Sequence, residues 1–261
     1  MNEKVKQIVT LIATFAGVLG PLLSNPFAPG SSSTGEISGQ YFREVLVIPA
    51  DYAFAIWAPI YLGFLAFAVY QALPAQRHNP RFAKTRLWLA ASALLNAAWI
   101  VVFGNLLFTL SLVIIVGMLV TALRMHRTLE ISETRVFGLE RALRLPFSLY
   151  AGWLTVATIV NAAGVLEVNG WGGPSLFYPV WGVAMLLVAS VIGLATRFTW
   201  RDPVYGGVFV WALTGVAVAP GQPLSVSLTA GVLALVFLLS LFPPTLSRVF
   251  ARGHEASPTT L

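Results

Sequence analysis

Aromatic and amide side chains interrupt three apolar stretches that are each long enough to cross a membrane. The residues concerned are Trp57 and Tyr61, Asn96 and Trp99, and Trp153, Thr155, Thr158 and Asn161. A side-chain amide in hydrocarbon costs free energy unless it is hydrogen-bonded. These residues therefore predict a pocket with aromatic walls and a few hydrogen-bonding points, which suits binding of a flat apolar molecule.

The composition is that of a polytopic membrane protein. Of its 261 residues, 57% are hydrophobic and 10% are charged, whereas soluble domains carry about 25% charged residues. The chain has no cysteine, which excludes a disulfide framework, a thiolate nucleophile and a cysteine-ligated metal.

Eight apolar stretches predict an all-α bundle of eight transmembrane helices, because about 20 apolar residues span a bilayer. The predicted spans are residues 8–23, 52–73, 87–103, 106–123, 145–165, 175–195, 203–219 and 224–242. Residues 24–51 form a linker long enough to act as a lid or binding loop.

The basic residues give this bundle an orientation. With the N-terminus inside, 15 of the 16 Lys and Arg residues fall on inside segments, and Arg43 alone lies outside. This asymmetry follows the positive-inside rule and predicts that both termini are cytoplasmic, in a bacterial cytoplasmic membrane. Topology thus accounts for the net charge of +6, and we expect no binding to nucleic acid.

Orientation converts sequence position into depth. At about 1.5 Å per helical residue, the candidate residues lie roughly 6 to 18 Å below the outer surface. Spacings of three or four residues place the candidates of each stretch on one helix face. The candidate ligand-binding residues are Trp57, Tyr61, Asn96, Trp99, Trp153, Ala157 and Asn161. Interfacial belts and interhelical hydrogen bonds are the alternative for each residue alone, but Trp153 near the midplane favours a pocket.

The same stretches carry a family resemblance. Residues 153–161 read W-x-T-x-A-T-x-x-N, residues 95–99 read L-N-A-A-W, and residues 54–61 read F-A-I-W-A-P-I-Y. They resemble, in the same order, motifs on the fifth, third and second helices of the translocator protein family, also called TspO or tryptophan-rich sensory proteins.

The resemblance implies a five-helix membrane bundle that binds tetrapyrroles, such as protoporphyrin or haem, beneath the loop joining its first two helices. The seven candidate residues match positions that line or flank that pocket. In this family, sterol recognition is associated with a motif of a Tyr and then a basic residue after the fifth helix. No such motif follows Asn161, which speaks against sterol binding. The chain then divides into a TspO-like domain at residues 1–166, three further helices at 167–245 and a cytoplasmic tail at 246–261.

Several function classes are disfavoured. No Asp, Glu, Lys, Arg or His lies in the interior of a predicted span, and ion pumps and proton-coupled carriers usually need such a residue. All three histidines lie on inside segments, so we expect no metal site in the pocket and no required cofactor beyond a bound porphyrin or haem. The histidines are His78, His126 and His254.

The sequence favours a receptor or carrier in the lipid bilayer over an enzyme, and it assigns no catalytic residue. Two alternatives stay open: a transporter of small neutral solutes or lipids, and an enzyme that degrades bound porphyrin. Gly117 and the small residues of the first span are compatible with a homodimer.

Overall fold

The computed structural model describes residues 1–24, 34–131, 138–171 and 178–242. In these ranges the chain is helical without β-strands, which confirms the predicted all-α membrane bundle. The helices are α1 Glu3–Ser24, α2 Thr34–Tyr41, α3 Trp57–Ala72, α4 Pro80–Gly104, α5 Phe108–Thr128, α6 Gly138–Ala142, α7 Leu145–Val168, α8 Tyr178–Trp200, α9 Pro203–Ala217 and α10 Leu224–Ser240. A 3-10 helix, Asp51–Ile56, leads directly into α3. The predicted tail at 246–261 lies outside the described residues.

Among the described residues, five helical segments are long and apolar enough to cross a membrane. They are Asp51–Ala72, Pro80–Gly104, Phe108–Thr128, Gly138–Val168 and Tyr178–Trp200. Helices α9 and α10 are apolar but shorter, at 15 and 17 residues. The count of eight spans therefore stays a prediction.

Polar caps set several helix boundaries. Helix α4 begins at Pro80, seven residues before the start of the predicted span at residue 87. It begins there because Asn79 Oδ1 accepts hydrogen bonds from the backbone N–H groups of Arg81 and Phe82. Proline suits this first helical position, since its missing N–H would have no partner there. Helix α9 begins at the predicted residue, Pro203, because Asp202 caps it in the same way.

The long helices form a closed ring. Helix α1 packs against α3 and α4, α5 packs against α4 and α7, and α7 returns to α3. Helices α8, α9 and α10 contact one another and form a layer on one side of this ring, with α9 making most of the contact with α7. Helix α7 is therefore central to both parts, and its residues from Tyr150 to Thr155 are all buried.

Small residues allow the closest helix contacts. A Cβ atom on Gly17 would overlap the backbone of Ala93, and one on Gly63 would overlap the ring of Pro146. These glycines join α1 to α4 and α3 to α7. A Cβ atom on Gly117 would lie 3.4 Å from Leu95 Cδ1 of α4. Gly17 and Gly117 thus pack within one bundle, and the homodimer stays a prediction.

A buried arginine ties three helices together near the predicted inner surface. Because α4 starts early, Arg86 lies inside this helix, where it is 0% exposed. Its guanidinium donates hydrogen bonds to Gln71 Oε1 and to the carbonyls of Gln76 and Arg77, and it pairs with the carboxylate of Glu3. The charge is therefore fully surrounded by acceptors, which offsets much of its desolvation cost.

A second buried pair joins the ring to the C-terminal layer. His126 Nε2 of α5 lies 2.9 Å from Asp202 Oδ2, and the exposure of both residues is 3%. The His126 ring stacks on Trp200, with 3.9 Å between centroids. Burial raises the pKa of the Asp202 carboxyl, but hydrogen bonds from His126 and from the Tyr205 backbone outweigh this effect, so the pKa lies below its ordinary value.

We expect Asp202→Asn to destabilise the protein near pH 7 by about 1 to 3 kcal/mol. Asn keeps the cap on α9 but cannot ionise. Folding lowers the pKa of Asp202. The ionised carboxylate therefore contributes to the free energy of unfolding at pH values above the ordinary aspartate pKa of about 3.9. This contribution is lost as the pH falls through the lower pKa of the folded protein. Thermal unfolding in detergent should therefore show a difference in unfolding temperature between Asp202→Asn and the native protein, and this difference should become smaller at acidic pH. Asp51→Asn, at an exposed aspartate, is the control, and a difference that becomes larger in acid would contradict the prediction.

Candidate ligand-binding site

The three predicted tryptophans lie on one side of the ring, beneath the segment that joins α1 to α3. We call residues 34–50, which comprise α2 and the chain that follows it, the roof segment. Within this segment α2 ends at Tyr41, and residues 42–50 have no regular structure. Part of the predicted lid, residues 25–33, lies outside the described residues.

A cavity of about 40 Å³ lies between the roof segment and helices α4 and α7. Its lining consists of Thr34, Ser38, Phe42, Pro49, Phe54, Trp99, Phe103, Trp153, Val156, Ala157, Val160 and Asn161. This volume holds a few water molecules, whereas pockets for larger ligands measure about 300 to 1,000 Å³. A large ligand therefore requires the roof segment to move.

Four of the seven predicted residues line the cavity. They are Trp99, Trp153, Ala157 and Asn161. Trp57 lies behind Trp153, with ring centroids 6.3 Å apart at 86°, and it stacks on Tyr61 with centroids 5.2 Å apart. Trp57 therefore supports the Trp153 ring and does not line the cavity itself.

Tyr61 and Asn96 form a bridge between helices. The Tyr61 hydroxyl donates to Asn96 Oδ1 at 3.2 Å, and Asn96 Nδ2 lies 3.4 Å from the carbonyl of Gly17. Neither side chain lines the cavity. The bridge joins α3, α4 and α1, which is the interhelical role that buried amides often have in membranes.

Asn161 combines both roles. It lines the cavity and is 3% exposed. Its side-chain amide also pairs with Ser111 of α5, where Asn161 Nδ2 and Oδ1 lie 3.2 and 3.3 Å from Ser111 Oγ. The amide thus fixes α7 against α5 and has limited hydrogen-bonding capacity left for a ligand.

Two indole N–H groups at the cavity have no hydrogen-bond partner. Trp99 Nε1 and Trp153 Nε1 are buried and unpaired among the described residues, and the exposures of the two side chains are 6% and 2%. Burying a donor without a partner costs about 1 to 3 kcal/mol, and such groups call for an explanation. Both residues line the same cavity.

Phenylalanine rings complete the walls. The Phe54 and Trp153 centroids lie 5.8 Å apart at 84°, and Trp99 stacks on Phe103 at 4.9 Å. Phe42 of the roof segment contacts Phe103 at 5.9 Å. Phe54 begins one of the three motifs and Phe103 follows another by four residues, but the sequence did not single them out as lining residues. The sequence feature that could have indicated Phe42 as a lining residue is its position as an apolar side chain within a largely polar linker.

The ionisable groups near the cavity hold the roof segment. Glu167 Oε1 accepts a hydrogen bond from the backbone N–H of Glu44 at 3.0 Å. Arg43 is exposed and donates to the carbonyl of Gln40. Within the ranges described above, no three His, Cys, Asp or Glu residues are grouped in a way that would hold a metal ion.

A family model described as TSPO-like protein matches residues 7–242 of this chain. The chain belongs to the TSPO-like family. The match runs from α1 to the end of α10, so the last three helices fall within the family model, although the three motifs end at Asn161. Comparisons with curated proteins and with solved structures give no match. The division at residue 166 stays a prediction.

We expect Gly164→Ala to destabilise this family member by about 1 to 3 kcal/mol, the usual cost of overpacking. A Cβ atom at this position would overlap the Phe42 ring, so Phe42 and the roof segment must shift. Thermal unfolding in detergent measures the effect. Gly104→Ala is the matched control, because no other atom lies within 4 Å of the added methyl group. Equal changes in unfolding temperature for the two variants would contradict the close packing of the Phe42 ring on Gly164.

Proposed function

We propose that this protein is a membrane receptor or carrier that binds a flat, hydrophobic, tetrapyrrole-like ligand beneath the roof segment. The observation that carries the proposal is the pair of unpaired, buried indole N–H groups, on Trp99 and Trp153, at one aromatic cavity. A porphyrin offers a large apolar ring face and carboxylate acceptors. Membership of the TSPO-like family supports a ligand of this class.

The proposed residue roles follow from the contacts. Trp99 and Trp153 donate hydrogen bonds to the ligand and contact its ring plane. Ala157, which lines the cavity on α7, leaves room for that plane because its side chain is a single methyl group. Trp57 supports Trp153 from behind, while Tyr61 and Asn96 join α1, α3 and α4, and Asn161 joins α7 to α5. The ligand enters when the roof segment moves, since the cavity of about 40 Å³ is much smaller than a porphyrin.

We further propose that the bundle crosses a bacterial cytoplasmic membrane eight times, with both termini in the cytoplasm. At about 1.5 Å per residue, α9 and α10 are shorter than the hydrocarbon core of about 30 Å. The apolar residues that flank them, and some thinning of the bilayer, make up the difference. The basic residues on alternate connections support this orientation.

Topology is testable with reporter fusions. We expect an alkaline phosphatase fusion to be active after residue 105 or residue 170, because the predicted connections there lie outside. We expect a green fluorescent protein fusion to fluoresce after residue 78 or residue 201, because those connections lie inside. A further fusion after residue 221, beyond α9, should report the outside. If it reports the same side of the membrane as the fusion after residue 201, α9 does not span the membrane and the number of spans is lower.

Ligand binding is testable by tryptophan fluorescence. We expect protoporphyrin IX to quench the emission of the purified protein, and Trp99→Phe or Trp153→Phe to weaken binding about tenfold each, because each change removes one hydrogen bond to a charged acceptor. Trp88→Phe is the control, since this residue lies on the exposed surface of α4.

The proposal fails if both cavity variants bind protoporphyrin IX as tightly as the native protein. Absorbance spectra taken during the titration distinguish binding from turnover. A porphyrin spectrum that is stable in light and air supports a receptor or carrier, whereas progressive loss of the Soret band would favour the alternative of an enzyme that degrades its ligand.

A further inference from the structure

We propose that α8, α9 and the turn before α10 position the second half of the roof segment, residues 44–50, and that the ligand site opens at the first half, residues 34–43. The identity of the ligand in this inference rests on the proposed function. The positioning of the roof segment and its opening do not. It gives the three C-terminal helices a role at the candidate site.

Hydrogen bonds from the C-terminal layer fix the chain around the second half. The backbone N–H of Ala50 donates to the carbonyl of Gly215 on α9 at 3.0 Å. Gln222, in the turn between α9 and α10, donates Nε2–H to the carbonyl of Leu46 at 3.0 Å. Trp211 of α9 donates Nε1–H to the carbonyl of Ala53, just after the roof segment, at 2.9 Å.

Glycines bring the same helices into direct contact with this half. A Cβ atom on Gly215 would lie 2.8 Å from Pro49 Cβ, and one on Gly182 of α8 would lie 3.0 Å from Leu46 Cβ. A side chain at Gly215 would force Pro49 or α9 to shift, and one at Gly182 would make an unusually tight contact with Leu46. Pro49 itself lines the cavity. The C-terminal layer thus sets the position of one cavity wall.

The first half is held in a different way. Tyr41 and Phe42 pack on Phe108, with ring centroids 5.7 and 4.8 Å apart, and Thr34 and Ser38 line the cavity. Contacts between rings can be exchanged for contacts with a flat apolar ligand. The hydrogen bonds of the second half would be lost on opening without replacement. Opening at α2 therefore leaves the hydrogen bonds of the second half in place.

Cysteine accessibility tests the inference without any ligand. The chain has no cysteine, so single cysteines report one site each. Ser38→Cys in the first half and Val47→Cys in the second replace side chains that are 4% and 5% exposed. We expect a water-soluble maleimide to label the first about tenfold faster. Adding Trp211→Phe and Gln222→Ala should speed labelling at position 47 about tenfold, with a smaller change at position 38. Equal rates at the two positions, or no increase at position 47, would overturn the inference.

A cysteine in α5 distinguishes positioning from general loosening. Ala122 is 1% exposed, and Ala122→Cys should stay protected with and without the two added changes. Faster labelling at all three positions would overturn a positioning role. Protoporphyrin IX separates the two proposals. The described labelling pattern in a protein that binds no porphyrin would leave the positioning role intact and refute the proposed function.

Discussion

Satisfaction of polar groups in a medium without water is the constraint on which the rest of this structure depends. In a bilayer every buried donor and acceptor must find a partner inside the protein. Arg86 meets this condition with four acceptors, Asn161 meets it with Ser111, and His126 meets it with Asp202. Other buried side-chain atoms among the described residues also have no partner, but the unpaired indoles of Trp99 and Trp153 are informative because both residues line one cavity.

The constraint also explains which features the sequence could predict. Apolar length and basic connections indicated a helical membrane bundle, and depth along each helix selected Trp99 and Trp153, which the structure places at one cavity. Depth and helix face do not specify the partner of a polar side chain. Tyr61 and Asn96 were therefore predicted as ligand contacts, although each is the other's partner and Gly17 completes the bridge.

Pairs that are distant in sequence were beyond prediction for a related reason. His126 and Asp202 are separated by 76 positions, and neither is flanked by a motif. Their contact depends on how the C-terminal layer docks on the ring, which hydrophobic periodicity does not encode. The early start of α4 had a local signal, since Asn79 followed by Pro80 is a helix-start pattern. Apolar length alone placed the boundary later and left Arg86 in the connection.

Helix α9 contacts the rest of the protein at both of its ends. Its N-terminal cap, Asp202, pairs with His126 of α5, and its C-terminal part, through Trp211 and Gly215, holds the chain around Pro49. Helix α9, with 15 residues, thus connects the buried pair on one side of the bundle to the cavity wall at Pro49. These contacts give a physical reason for the three C-terminal helices to pack as one unit with the ring.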